Sequence, residues 1–165
     1  MAWESDVREF REAFRLPISD RPTILSEEEN KLHLTLIEEE LNELMEAMVK
    51  KDLVGVFDAI VDLRYVLMGL AVHMGLPMEE GERVVHASNM SKLDENGEPI
   101  FREDGKVLKS DLWWKADPHL EALVEQCRIA AAVTDLGKAW SHSFEDLKRG
   151  PEEWTTKRLK SFSEE

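Results

Sequence analysis

Cysteine is almost missing from this chain. Cys127 is the only one among 165 residues, so no internal disulfide can form, and a reducing, cytoplasmic setting is the expectation. Long apolar runs are missing too: no uncharged stretch reaches the about 18 residues that a membrane-spanning helix needs. The first residues, MAWESDVREF, are too charged for a secretory signal, and none is expected. Basic residues are few, 21 against 35 acidic, which leaves a formal net charge of -14. That balance speaks against nucleic-acid or anionic-membrane partners, whose phosphates call for cations. A small phosphorylated substrate is still open to it, because a metal ion and local lysines can reverse the sign inside a pocket. No Walker A segment and no dinucleotide fingerprint is present. His33, His73, His86, His119 and His142 form no H-x-x-x-H pair and none pairs with the cysteine, which argues against zinc. Ser88 and Ser91 lack the surroundings of an activated nucleophile. There is no internal repeat and no low-complexity segment.

What is present is a soluble chain, 42% hydrophobic and 34% charged, of a length that suits one domain. Its organising stretch runs from Leu34 to Met74, where two apolar-periodic segments flank a polar break at Lys50, Lys51 and Asp52. Both segments carry acids among their apolar residues. Glu39, Glu40 and Glu43 sit among Leu36, Leu41 and Leu44; Asp58 and Asp62 sit among Val54, Phe57, Ile60, Val61 and Leu63. Residues three and four apart share a helix face, so two antiparallel helices can bring up to five carboxylates together. Repulsion would separate them without protons or cations, and an all-oxygen site suits a hard divalent ion, Mg²⁺ or Mn²⁺. Acids on a helix more often form a solvated face. Against that, the second segment is otherwise almost wholly apolar, which predicts burial, and Arg64 is the one cation near its acids in sequence.

The remaining elements follow from periodicity and punctuation. Residues 4–15 predict a first helix with Val7, Phe10, Arg11 and Phe14 on one face, Phe10 and Phe14 being expected core. Pro17 and Pro22 bracket an extended linker. Ser26-Glu27-Glu28-Glu29 has the form of a capping box that starts a helix near residue 27. That helix runs to about Val49, and Asp52 is the expected N-cap of the next. Gly75 and Pro77 end the third helix near His73, and Met78 to Met90 predicts a fourth. Turn signals at Asn96-Gly97 and Asp104-Gly105 interrupt the helical pattern, with a small hairpin possible through Ile100, Phe101, Val107 and Leu108. Trp113 and Trp114 either stack on a base or pack an interface or core. Residues 119–138 predict a further helix. The tail, 139–165, with Trp140, Phe144, Trp154 and Phe162, predicts two short helices or a partner-binding extension.

Glu39-Glu40-Leu41-Asn42-Glu43 matches the E-E-x-x-E signature, followed by Asp58-x-x-x-Asp62, by Asn89-Met90-Ser91-Lys92 and by Gly105-Lys106-Val107-Leu108-Lys109. In this order, over roughly residues 5–118, the chain resembles the all-α nucleoside triphosphate pyrophosphohydrolases, and most of all their MazG-like subgroup. It departs from the pattern once: where E-x-x-D is usual, Ala59 takes the Glu position, and Asp58 is expected to substitute. The resemblance implies an all-α, four-helix-bundle-like core over 1–118 with a C-terminal helical extension over 119–165. It implies hydrolysis of a (d)NTP to (d)NMP and pyrophosphate, with dGTP/GTP or dUTP as leading substrates and phosphoribosyl-ATP as the alternative. It implies two or more Mg²⁺ or Mn²⁺ ions on Glu39, Glu40, Glu43, Asp58 and Asp62, with Glu39 or Glu40 accepting the proton of the attacking water. Asn89, Lys92, Lys106, Lys109, Phe14 and Trp113 are the implied substrate contacts. Read without the resemblance, the lysines are ordinary surface residues and Asn89 equally a helix cap. The implied assembly is a homodimer or homotetramer. The rival class is a non-enzymatic helical interaction module whose acids decorate its surface.

Overall fold

The computed structural model describes residues 2–148, in five helices. They are α1 (Ala2–Ala13), α2 (Glu27–Lys50), α3 (Leu53–Met74), α4 (Met78–Met90) and α5 (Asp117–Lys148). The fold is all-α, as the periodicity required. The sole β feature among the described residues is a single antiparallel bridge, Phe101 to Val107, inside the expected hairpin.

The α2–α3 hairpin is set by local chemistry at both ends. Ser26 caps α2: its hydroxyl accepts from the Glu29 N–H at 3.3 Å, and the Ser26 N–H donates to Glu29 Oε2 at 2.8 Å. The pair satisfies two N–H groups that a helix start leaves without partners. At the other end Lys51 adopts a left-handed conformation, φ 56°, and its N–H reaches back to Ala47 and Met48. Asp52 then caps α3 by accepting from the Val54 and Gly55 N–H groups at 3.1 Å each. A Cβ on Gly55 would lie 3.2 Å from the Ala47 Cβ, so small residues let the two helices approach where the chain turns. α3 ends at Gly75, φ 66°, where a Cβ would stand 2.4 Å from the Arg21 carbonyl oxygen. The linker between α1 and α2 is tied there, Thr23 N–H donating to the Met74 carbonyl at 2.9 Å.

α3 packs against both α1 and α2. The small core is Val7, Met68, Ala71 and Val72, with Ile18, Tyr65, Leu76 and Met78 against it. The expected burial of α3 is not met within one chain: Phe57 is 68% exposed and Val54 76%. Leu53, Ile60 and Leu67 are exposed too, and so are Leu34, Leu41, Met45, Met48 and Val49 on α2. The physical reason is supply. One face of α3 is covered by α1 and α2, and among the described residues the apolar side chains of the other stay exposed. Phe10 and Phe14 likewise stay exposed, while Val7 and Arg11 of that face are buried.

Two boundaries move. α1 stops at Ala13, two residues before the expected end, because the chain turns through a left-handed Arg15, φ 56°. α5 passes Gly137 and runs on to Lys148. Trp140 and Phe144, expected in a separate short helix, therefore belong to α5, whereas Trp154 and Phe162 lie outside the described residues. The chain divides into two compact units between Arg128 and Ile129. The first holds α1 to α4 and the start of α5; the described part of the second is the rest of α5.

Candidate functional site

The turn at Lys51 and Asp52 folds the two acidic segments face to face. Glu40 is half-buried and its carboxyl is held above the ordinary range. Burial is the largest cause, followed by the charges of Glu43, Asp62, Glu39 and Asp58 in that order. Five acids from two helices thus share one electrostatic neighbourhood around Glu40, and no cation among the described residues offsets them there. Arg64 turns away, its guanidinium 4.9 Å from the centre of the Trp3 ring.

The convergence is loose. Among the described residues no three His, Cys, Asp or Glu side chains already stand where one ion could take them all. Like charges without a counter-ion hold such side chains apart. The donor set fits a hard divalent ion, being all carboxylate oxygen. At the point of departure from the family pattern, Ala59 is 3% exposed, whereas Asp58 is exposed. Asp58 is also the weakest of the four charges on Glu40, so it stands at the rim of the cluster.

The implied substrate contacts have partners of their own. Asn89 and Lys92 are brought together at the end of α4, Lys92 Nζ donating to Asn89 Oδ1 at 2.7 Å. Lys109 Nζ rests 3.4 Å over the Trp113 ring. Lys106 is exposed on the small hairpin. Phe14, 65% exposed, pairs with Phe10 at 4.4 Å between ring centres. Phe10 meets Tyr65 edge-on at 5.7 Å, and Tyr65 meets Trp3 at 6.2 Å. This aromatic row joins α1 to α3 one turn beyond Asp62. Tyr65 and Trp3 were not singled out from sequence, and nothing in their spacing marks them. A pocket of about 560 Å³, lined by apolar residues such as Met78, Val85, Leu120 and Val124 with Asn89 and His86, lies between α4 and the first turns of α5. None of the five carboxylates lines it.

Sequence reading also missed the structural use of three serines. Ser88 Oγ donates to the Trp114 carbonyl at 2.8 Å, Ser91 Oγ accepts from the Trp114 N–H at 3.2 Å, and Ser110 Oγ donates to the Leu93 carbonyl at 2.7 Å. They fasten the irregular segment to the end of α4.

An all-helical chain with E-E-x-x-E on one helix, two acids one turn apart on the next and the helices folded together defines the class: the all-α nucleoside triphosphate pyrophosphohydrolases, hydrolases of nucleotide phosphoric anhydrides. Residues 7–89, half the chain, match the family model for phosphoribosyl-ATP pyrophosphohydrolase, and the chain belongs to that family. The match ends at Asn89, so Lys92, Lys106, Lys109 and Trp113 lie beyond it. Among solved structures, the chain is similar to a protein from Exiguobacterium sp. 255-15 described as a candidate NTP pyrophosphohydrolase. Identity is 30%, the alignment covers 75% of this chain and 94% of that one, and the TM-score is 0.42. The comparison with curated proteins gave no match. No helix among the described residues is long and apolar enough to cross a membrane.

Proposed function

We propose that the substrate is a nucleoside triphosphate, with dGTP/GTP or dUTP foremost, cleaved to the monophosphate and pyrophosphate. The observation that carries the metal-dependent form of this reading is the neighbourhood of Glu40, where burial and four like charges act with no cation among the described residues to offset them. Glu39, Glu40, Glu43, Asp58 and Asp62 would hold Mg²⁺ or Mn²⁺, two or more ions, since five carboxylates exceed what one such ion with its waters needs. Bound there, these ions supply charge neutralisation for the phosphate oxygens and acidify water for attack. Glu39 or Glu40 would accept the proton of the attacking water. Asn89 and Lys92, already paired, would take a phosphate oxygen together, and the cations of Lys106 and Lys109 suit the outer phosphates. Lys109 reaches a phosphate only by leaving the Trp113 ring. Phe14 and Trp113 offer faces on which a base can stack. The uncovered apolar faces of α2 and α3 support a homodimer or homotetramer, and the lone cysteine supports a cytoplasmic setting.

A second substrate, phosphoribosyl-ATP, is favoured by the description of the matching family. The purely non-enzymatic reading is set aside by the same match. One panel tests the proposal: dNTPs, NTPs and phosphoribosyl-ATP, each with Mn²⁺ and with Mg²⁺, assayed for both pyrophosphate and monophosphate. Release of pyrophosphate from dGTP, GTP or dUTP is the expected result. Turnover of phosphoribosyl-ATP alone replaces the substrate. Orthophosphate in place of pyrophosphate overturns the bond assignment.

A further inference from the structure

Away from the acids, four polar side chains from three helices meet in the joint that holds α1 against the hairpin. His33 of α2 and His73 of α3 are buried, their rings linked by His33 Nε2 and His73 Nδ1 at 2.9 Å. On its other side His73 Nε2 stands 3.4 Å from Glu29 Oε1, and the second Glu29 oxygen accepts from the Ser26 N–H and hydroxyl. Arg11 of α1 is buried as well, its Nε donating to the Pro17 carbonyl at 2.8 Å and its Nη1 lying against Gly69 of α3.

The proton positions follow from donors and acceptors. A carboxylate only accepts, so neutral His73 carries its hydrogen on Nε2, facing Glu29. Its Nδ1 is then an acceptor and takes the His33 Nε2–H. One more proton on His73 must go to Nδ1, and two donors would face each other across 2.9 Å. The pair therefore holds in the neutral state and breaks when His73 takes a second hydrogen, whereas a proton on His33 goes to its Nδ1, keeps the Nε2–H bond and adds a cation to the joint. The charges that reach the rings agree. Burial is the first cause that keeps both rings from protonating; Arg11 adds to it at both, and His73 at His33. Glu29 opposes, without reversing the direction. Arg11 cannot give up its own charge, so a protonated ring adds a second cation to a buried joint.

We infer that Arg11, His33, His73 and Glu29 form a pH-sensitive latch, in which proton uptake by the buried histidine pair releases α1 from α2 and α3. The sign is fixed by linkage. Both rings are harder to protonate folded than unfolded, so the stabilisation is complete above the unfolded value of about 6.5 and is lost as pH falls below it through the folded values. α1 carries Phe10 and Phe14, so its release would open the aromatic row, but the latch does not depend on any substrate assignment.

The test uses the intact protein without nucleotide. Histidine NMR should find both rings neutral at pH 6.5, each with hydrogen on Nε2. Hydrogen exchange of α1 amides, corrected for intrinsic rates, should lose about tenfold or more of its protection between about pH 7.5 and about pH 5, as proton uptake at the pair predicts. The double variant His33→Leu/His73→Leu removes both partners at once and leaves the acidic cluster intact, so its α1 protection should change little over that range. A ring protonated at pH 7 overturns the latch, and so does a variant that loses protection as the wild type does. Should the variant not fold, the wild-type ring titration and α1 exchange decide alone: flat α1 protection while the rings titrate overturns it.

Discussion

At Glu40 the local physics opposes ionisation, and substitution there separates structure from chemistry. A carboxyl whose folded pKa is raised contributes stability below its unfolded value, about 4.3, and loses it as pH rises through the folded value. Without metal, the charged cluster therefore weakens the fold at neutral pH, and Glu40→Gln should raise the thermal midpoint of the metal-free protein. The same variant should lose about a hundredfold or more in turnover, in the range of a removed general base, and Mn²⁺ should stabilise it less than wild type. A purely structural Glu40 predicts the reverse, a lower metal-free midpoint. Asp62→Asn should behave like Glu40→Gln. Asp58→Asn should lose turnover to a smaller degree, because Asp58 acts least on Glu40 and sits at the exposed rim. Equal losses for the two aspartates would place Asp58 as deep in the site as Asp62. The acids themselves were legible, since E-E-x-x-E and Asp58-x-x-x-Asp62 are spacings. The histidine pair was not: His33 and His73 are 40 positions apart, and no short pattern marks a contact made by folding.

At the scale of the element, caps decide where helices begin and end. Lys51 holds a left-handed conformation that costs a residue with a Cβ about 1–2 kcal/mol. Lys51→Gly should therefore stabilise the protein, by about 0.5–1 kcal/mol once the extra freedom of glycine in the unfolded chain is allowed for. Asp52→Ala, by removing the acceptor of two N–H groups, should cost about 1 kcal/mol. Chemical denaturation of both variants measures each effect, and a destabilised Lys51→Gly would mean that the lysine side chain contributes more than the turn costs. Ser26, Asp52 and Gly75 were readable because capping is local chemistry. The end of α5 was not, because a glycine inside a helix costs only about 1 kcal/mol, and α5 continues through Gly137.

For the whole molecule, periodicity gave the faces but not their partners. An apolar stripe looks the same whether it meets its own chain or another, so the sequence predicted a buried α3 while the structure leaves Leu53, Val54 and Phe57 open. The proposed homo-oligomer would cover this exposed apolar surface. Light scattering should give a mass at least twice 19.0 kDa. Phe57→Glu, which places a charge in the exposed face, should shift the population toward monomer and lower the thermal midpoint with a dependence on protein concentration. An active monomer of wild-type sequence would refute the assembly.

The serine fastening has a practical consequence for engineering. Ser110 pins the base of the excursion that leaves α4, while Gly97 and Gly105 at its two turns have nothing within 4 Å of a would-be Cβ. Exposed tips of this kind, closed off from the scaffold by their own stem, accept added chain with little cost. Lengthening such a loop adds only a slowly growing closure entropy. A short epitope placed between Asn96 and Gly97 should leave the thermal midpoint within about 2 °C of wild type, equivalent to about 0.5–1 kcal/mol in a chain of this size. The same insertion in Ser110→Ala should cost distinctly more, because the stem that insulates the scaffold from the added chain is then gone.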